Sequence, residues 1–188
     1  MAEAAPIIVT ALMGKADSAA FDALRRRHFP PERNQLAAHL TMFHHLPPSL
    51  EDELKRRLAE MTRGASPPEA RVAGLISLGQ GVAFRIESPA LLAIRAELAD
   101  TFAGLLTPQD RAGWRPHVTV QNKVEPAVAR VTLGRIGARF PAAPARDRRS
   151  GELVVSRRAV GAIVASHVRL TAAPHRSYRP RSDRGWAE

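Results

Sequence analysis

The chain has 188 residues, 45% of them hydrophobic, and a formal net charge of +10. It has no cysteine, which excludes disulfides, thiolate nucleophiles and thiolate metal sites and leaves histidine, carboxylate and hydroxyl chemistry. Met1 to Leu12 lacks the basic-then-apolar order of a secretory signal and no run approaches the roughly 18 apolar residues of a membrane span, so a soluble, cytoplasmic protein with no membrane partner is expected.

Positive charge concentrates polyanions and suits a nucleic-acid or nucleotide substrate. The charge is uneven, however: from Arg146 to the end, 10 Arg stand against 4 acids, a net of +6.

In chain order, the β-branched run from Pro6 to Met13 predicts a first strand. Asp17 to Phe29, with Phe21 and Leu24 near helical spacing around Arg25 to Arg27, predicts a surface helix stopped by Pro30 and Pro31. A strand is expected from His39 to Leu46. Ser49 and Asp52 then resemble a capping box for a helix that buries Leu50, Leu54, Leu58 and Met61. Arg71 to Leu78 and Val82 to Ile86 predict a hairpin around Gly79-Gln80-Gly81. Ser88-Pro89 opens the next helix, faced by Leu91, Ile94, Leu98 and Phe102, and Thr107-Pro108 is expected to close it. His117 to Val124 predicts another strand, and Pro126 a helix turning Val128, Val131, Leu133 and Ile136 inward. Leu153 to Ser156 predicts a late strand. The division expected is a catalytic domain at 1–145 made of two related lobes, an atypical end at 146–174, and a mobile Arg/Pro-rich tail at 175–188.

An internal echo organises this pattern. Arg33 precedes His39 by six residues and Thr41 follows it by two; Arg111, His117 and Thr119 repeat both spacings. Pro47 and Pro126 lie eight and nine residues after their respective histidines. In a strand, residues two apart share a face, so each unit presents a His/Thr pair on one side and an apolar pair on the other.

Two imidazoles and two hydroxyls around a small anionic group suit phosphodiester chemistry. One imidazole takes a proton from the attacking oxygen, the other gives one to the leaving oxygen, and threonine hydroxyls donate to the nonbridging oxygens. No metal or cofactor is required. Strand geometry sets His44 opposite His39 and puts His45 too far along for easy shared ligation, which disfavours a zinc site built from these residues and His117. By the same alternation Phe43 and His45 share the His39 face, and Gln121 and Lys123 the His117 face. These four, with Arg33, Arg111 and Trp114, are candidate lining residues; Phe43 would stack on a base and Lys123 would attract phosphate. A cation at Lys123 would favour neutral His117, making His117 the base and His39 the acid.

His39-Leu40-Thr41-Met42-Phe43 and His117-Val118-Thr119-Val120-Gln121 resemble the paired His-x-Thr-x motifs of the two-histidine phosphoesterase superfamily, within it the bacterial 2′-5′ RNA ligase and RNA cyclic phosphodiesterase group. The resemblance covers Pro6 to about Phe140. It implies a bilobal α+β fold, with two pseudo-symmetric lobes and antiparallel sheets around a central cleft. His39 and His117 match the catalytic histidines, and Thr41 and Thr119 the phosphate-binding residues. The implied activity is metal-independent hydrolysis of RNA 2′,3′-cyclic phosphate ends, with reversible 2′-5′ ligation in some members. The substrate would be an RNA terminus or a small nucleotide, handled by a monomer needing no protein partner. The alternatives are a phosphodiesterase for a small nucleotide such as ADP-ribose cyclic phosphate, and a non-catalytic RNA-binding module.

Overall fold

The computed structural model describes residues 6–140, without the side chain of Leu12, and the backbone of the strands lying between residues 149 and 172. The tail at 175–188, expected to be mobile, lies outside the described residues.

Among the described residues, two sheets and five α-helices make an α+β fold. The apolar run Ile7–Met13 forms β1, and β2 (Leu40–Leu46) pairs antiparallel along one side of it. On its other side β1 pairs antiparallel with β7 (Leu153–Ala159), which is longer than the late strand expected and is followed outward by β8 (Ala165–His167). The second sheet has the order β5 (His117–Gln121), β4 (Val82–Glu87), β3 (Glu69–Ser77), β9 (Arg169–Ala172), β6 (Arg149–Gly151). Its centre is the predicted hairpin, β3 with β4, and β5 pairs with β4. Beyond β3 lie β9 and β6. The sheets are antiparallel as expected but for the β3–β9 pair, which is parallel. Both histidine-bearing strands, β2 and β5, are outermost in their sheets among the described residues.

Helix α1 (Lys15–His28) follows β1 of the first sheet but packs on the second, where Phe21 meets Phe84 edge-on with ring centroids 5.3 Å apart. Phe84 in turn meets Phe140, past the end of α5 (Pro126–Gly137), at 5.2 Å. These rings belong to one continuous core that also holds Val9, Leu40, Met42, Phe43, Leu54, Leu98 and Val118. One helix therefore bridges the strands of both sheets.

Three local expectations are corrected. Ser49 does not cap α2 (Glu51–Thr62): a 3-10 turn at Pro48–Leu50 runs into the helix, and no side chain caps it. Thr107-Pro108 does not close α3 (Pro89–Thr101), which ends earlier; Thr107 caps a new one-turn helix, α4 (Pro108–Arg111), by accepting from Asp110 N at 3.2 Å. In α5 the buried series is Ala129, Thr132 and Ile136, with Leu133 partly buried, while Val128 and Val131 stay exposed. Thr132 turns inward because its hydroxyl accepts from Gln121 Nε2 at 3.0 Å, which rotates the helix face away from the valines.

Candidate active site

Each histidine stands where the chain enters a motif strand, and each is held in the same way. His39 Nδ1 lies 2.7 Å from the carbonyl oxygen of Ala37, and His117 Nδ1 lies 2.8 Å from that of Arg115. A carbonyl only accepts, so in both rings Nδ1 carries the proton and Nε2 is left with its lone pair in the neutral form. Among the described residues neither Nε2 has a hydrogen-bond partner.

The echo extends into the strands. Along β2 the register with β1 steps from Thr10↔Thr41 to Val9↔Phe43, so one extra residue sits just after the motif threonine. Along β5 the register with β4 steps from Ala83↔Thr119 to Val82↔Gln121, an identical insertion at the matching position. A bulge of this kind reverses the facing of everything beyond it. Phe43 therefore joins Met42 in the core, fully buried with the Arg95 guanidinium 4.6 Å from its ring centroid, and is not available to stack on a base. Gln121 likewise joins Val120 inside, against Thr132, and does not line the His117 face. Thr41 and Thr119, which precede the bulges, remain half-buried.

The two strands are also cross-linked through their motif carbonyls. Trp114, from the lead-in to β5, donates its indole N–H to Thr41 O at 2.8 Å. Arg25 of α1 donates Nη1–H to Thr119 O at 2.8 Å, and its Nε–H to Asn34 Oδ1 at 3.1 Å. One turn earlier on α1, Asp22 Oδ1 accepts from Ala38 N at 2.6 Å, fixing the residue before His39. At the far end of β2, buried Asp110 accepts from His44 N at 2.8 Å and His45 N at 2.9 Å, and its Oδ1 lies 3.2 Å from His44 Nδ1. Burial alone would raise the Asp110 carboxyl, but these bonds hold it below its ordinary range.

The remaining candidates lie at the margins. His45 is exposed, its backbone tied to Asp110. Arg33 and Arg111 are exposed and each ends a proline-led single turn, Pro31–Arg33 and Pro108–Arg111; Arg111 Nε also donates to Leu106 O at 3.1 Å. Lys123 sits past the end of β5 in a left-handed turn with φ 61°, so alternation along the strand does not aim it with His117. Among the described residues no three histidine or carboxylate side chains converge as a metal-binding group.

The proton affinity of the His39 ring is lowered. Burial lowers its pKa most, the bond to Ala37 O opposes this, and Arg25 lowers it further; Asp22 raises it and His117 lowers it. A cavity of about 1270 Å³ opens beside His117 and Trp114 and runs along β3 and β4 to Leu92 of α3; His39 does not line it.

A profile of the 2′-5′ RNA ligase superfamily matches residues 14–158, three quarters of the sequence and both histidine units. The chain belongs to the 2′-5′ RNA ligase superfamily. It is accordingly a two-histidine phosphoesterase or ligase type of enzyme, as the paired motifs implied. No curated protein matches the chain. Among the described residues, no helix of this superfamily member is long and apolar enough to cross a membrane.

Three of the residues that organise the site were missed from sequence: Asp22, Arg25 and Asp110. Arg25 stands four residues after Phe21, in register with the buried face of α1, and a charge in an apolar register is the signal that identifies it. Asp110 stands three residues after Thr107, the spacing of a capping box.

Proposed function

We propose that this protein opens 2′,3′-cyclic phosphates at RNA ends by paired-histidine acid–base catalysis, and joins ends through 2′-5′ linkages when a 5′ hydroxyl takes the place of the attacking water. The observation that carries this is the matched pair of Nδ1–carbonyl bonds, which present two Nε2 atoms in one tautomer. The matched bulges, carbonyl latches and single-turn lead-ins support two related lobes that set His39 and His117 across a common cleft.

The roles follow from the lowered proton affinity of His39. His39, disposed to be neutral, is the base, and His117 the acid, the reverse of the assignment built on Lys123. In hydrolysis, water attacks phosphorus, His39 Nε2 takes its proton, and the bond from phosphorus to the 3′ oxygen breaks as protonated His117 gives that oxygen a proton. The product is a 2′-phosphate and a free 3′ hydroxyl. Thr41 and Thr119 hydroxyls donate to the nonbridging oxygens, whose charge is felt most in the transition state. Ligation replaces water by a 5′ hydroxyl. Both proton transfers, and neutralisation of the phosphoryl group by the donors and the histidinium, are supplied by side chains, so no metal ion has a role to fill in this scheme.

The cavity beside His117 has room for nucleotides adjoining the reacting phosphate, which favours an RNA end over a small cyclic nucleotide. The test is an oligonucleotide ending in a 2′,3′-cyclic phosphate, incubated with excess chelator. We expect conversion to the 2′-phosphate. Loss of turnover with chelator would oppose this scheme, faster turnover of ADP-ribose cyclic phosphate would favour the small-nucleotide enzyme, and tight binding without turnover would leave an RNA-binding module.

A further inference from the structure

Arg25 is among the few buried charged residues described, 5% exposed on a helix whose neighbouring Arg26 and Arg27 face solvent. Burying a guanidinium is unfavourable unless its donors are satisfied, and burial indeed lowers its pKa while Asp22 partly restores it. Two of its donors bond to Asn34, in the lead-in to the first motif, and to Thr119 O, in the second. Its Cζ lies over the Phe29 ring, 4.3 Å from the centroid, a cation–π contact that adds to its anchoring.

We propose that Arg25 is a positioning residue for the histidine pair: with Asp22 it makes α1 a two-pronged brace that sets the spacing between His39 and His117. Asp22 grips the main chain at Ala38, one residue before His39, and Arg25 grips it at Thr119, two residues after His117. The prongs lie three residues apart on one helix, about 4.5 Å along its axis. A rigid element therefore links the two motifs, which belong to different sheets and share no strand pairing. Lysine would keep the charge but could not bridge Asn34 and Thr119 together, since only the planar fork offers donors in two fixed directions.

This inference rests on the two-histidine reading, and its test separates the two. Arg25→Lys and Arg25→Gln are compared with wild type by steady-state turnover of a cyclic-phosphate oligonucleotide and by NMR titration of the histidine rings in the free protein. The charges facing His39 are Arg25 and Asp22 from α1 and His117 from β5. We expect both variants to lose kcat by about 10-fold or more with KM changed much less, because misplacement of reacting groups acts on the transition state. The His39 midpoint should rise in Arg25→Gln and return toward wild type in Arg25→Lys, where the charge is kept. Turnover within twofold of wild type in both, or a His39 midpoint unmoved in Arg25→Gln, would overturn the proposal. Should Arg25→Gln fold poorly, Asn34→Ala removes the Nε anchor alone and should lower kcat in the same direction; unchanged kcat there would count against the brace. Inactivity of the wild type would defeat the cyclic-phosphate reading, while the titration would still decide on Arg25.

Discussion

Trp114 donates its indole N–H to the main-chain oxygen of Thr41 at 2.8 Å, so a residue leading into the second motif secures the strand of the first. Arg25 does the reciprocal service at Thr119 O. The two motif threonines thus have their outward carbonyls met by side chains from the opposite half of the echo. Trp114→Phe keeps the ring and removes the donor, leaving a part-buried carbonyl short of a partner. The expected cost is about 1 kcal/mol of stability, read by urea melts, with a fall in kcat larger than any change in KM.

Replacing either His39 or His117 by alanine should lower turnover by about 10²-fold or more while substrate binding changes little. A substrate with an activated leaving group needs little protonation. It should rescue His117→Ala and leave His39→Ala slow; rescue of His39→Ala alone would restore the opposite roles.

The pH dependence follows from the lowered proton affinity of His39, caused first by burial. The acid limb of kcat/KM should lie below the ordinary histidine value of about 6.5. Between the folded and unfolded values the unfolded chain binds more protons, so this group's contribution to stability is intact above about 6.5 and is lost as pH falls through that window. Replacing His39 by glutamine should flatten that part of the stability–pH curve, measured by denaturant melts at several pH values.

Asp110 secures the far end of β2 through two main-chain donors, His44 N and His45 N. Asp110→Ala should cost about 3 kcal/mol, since charge-assisted bonds to a buried carboxylate are lost and their donors stranded. Asp110→Asn keeps one acceptor and should cost less. A loss below about 1 kcal/mol in the alanine variant would show that water replaces the carboxylate.

Gly81, in the β3–β4 hairpin, lies so close to β5 that a Cβ there would strike the carbonyl oxygen of Gln121 and approach Asn122 Cα to 2.7 Å. The obstacle is backbone, which cannot rotate away. Gly81→Ala should cost about 2 kcal/mol or more, roughly a 4–8 °C fall in Tm by calorimetry.

Much of the architecture was legible in local spacing. The β-branched run at Ile7–Met13, the hairpin around Gly79 to Gly81 and the Ser88-Pro89 helix start each depend on neighbours a few residues away, and they form where expected. The paired His-x-Thr units were legible for the same reason, because a motif is a short-range pattern. Tertiary structure decided what short-range pattern cannot contain. Whether Phe43 and Gln121 face the core depends on a bulge, which exists only as a mismatch with a partner strand far away in sequence. Whether Arg25 is surface or brace depends on a carbonyl 94 residues away, and Asp110 is tied to β2 across a separation of 66. The environment of the first histidine was also invisible in its strand: both motifs present a histidine held at Nδ1, and it is burial in the folded chain that lowers the proton affinity of His39.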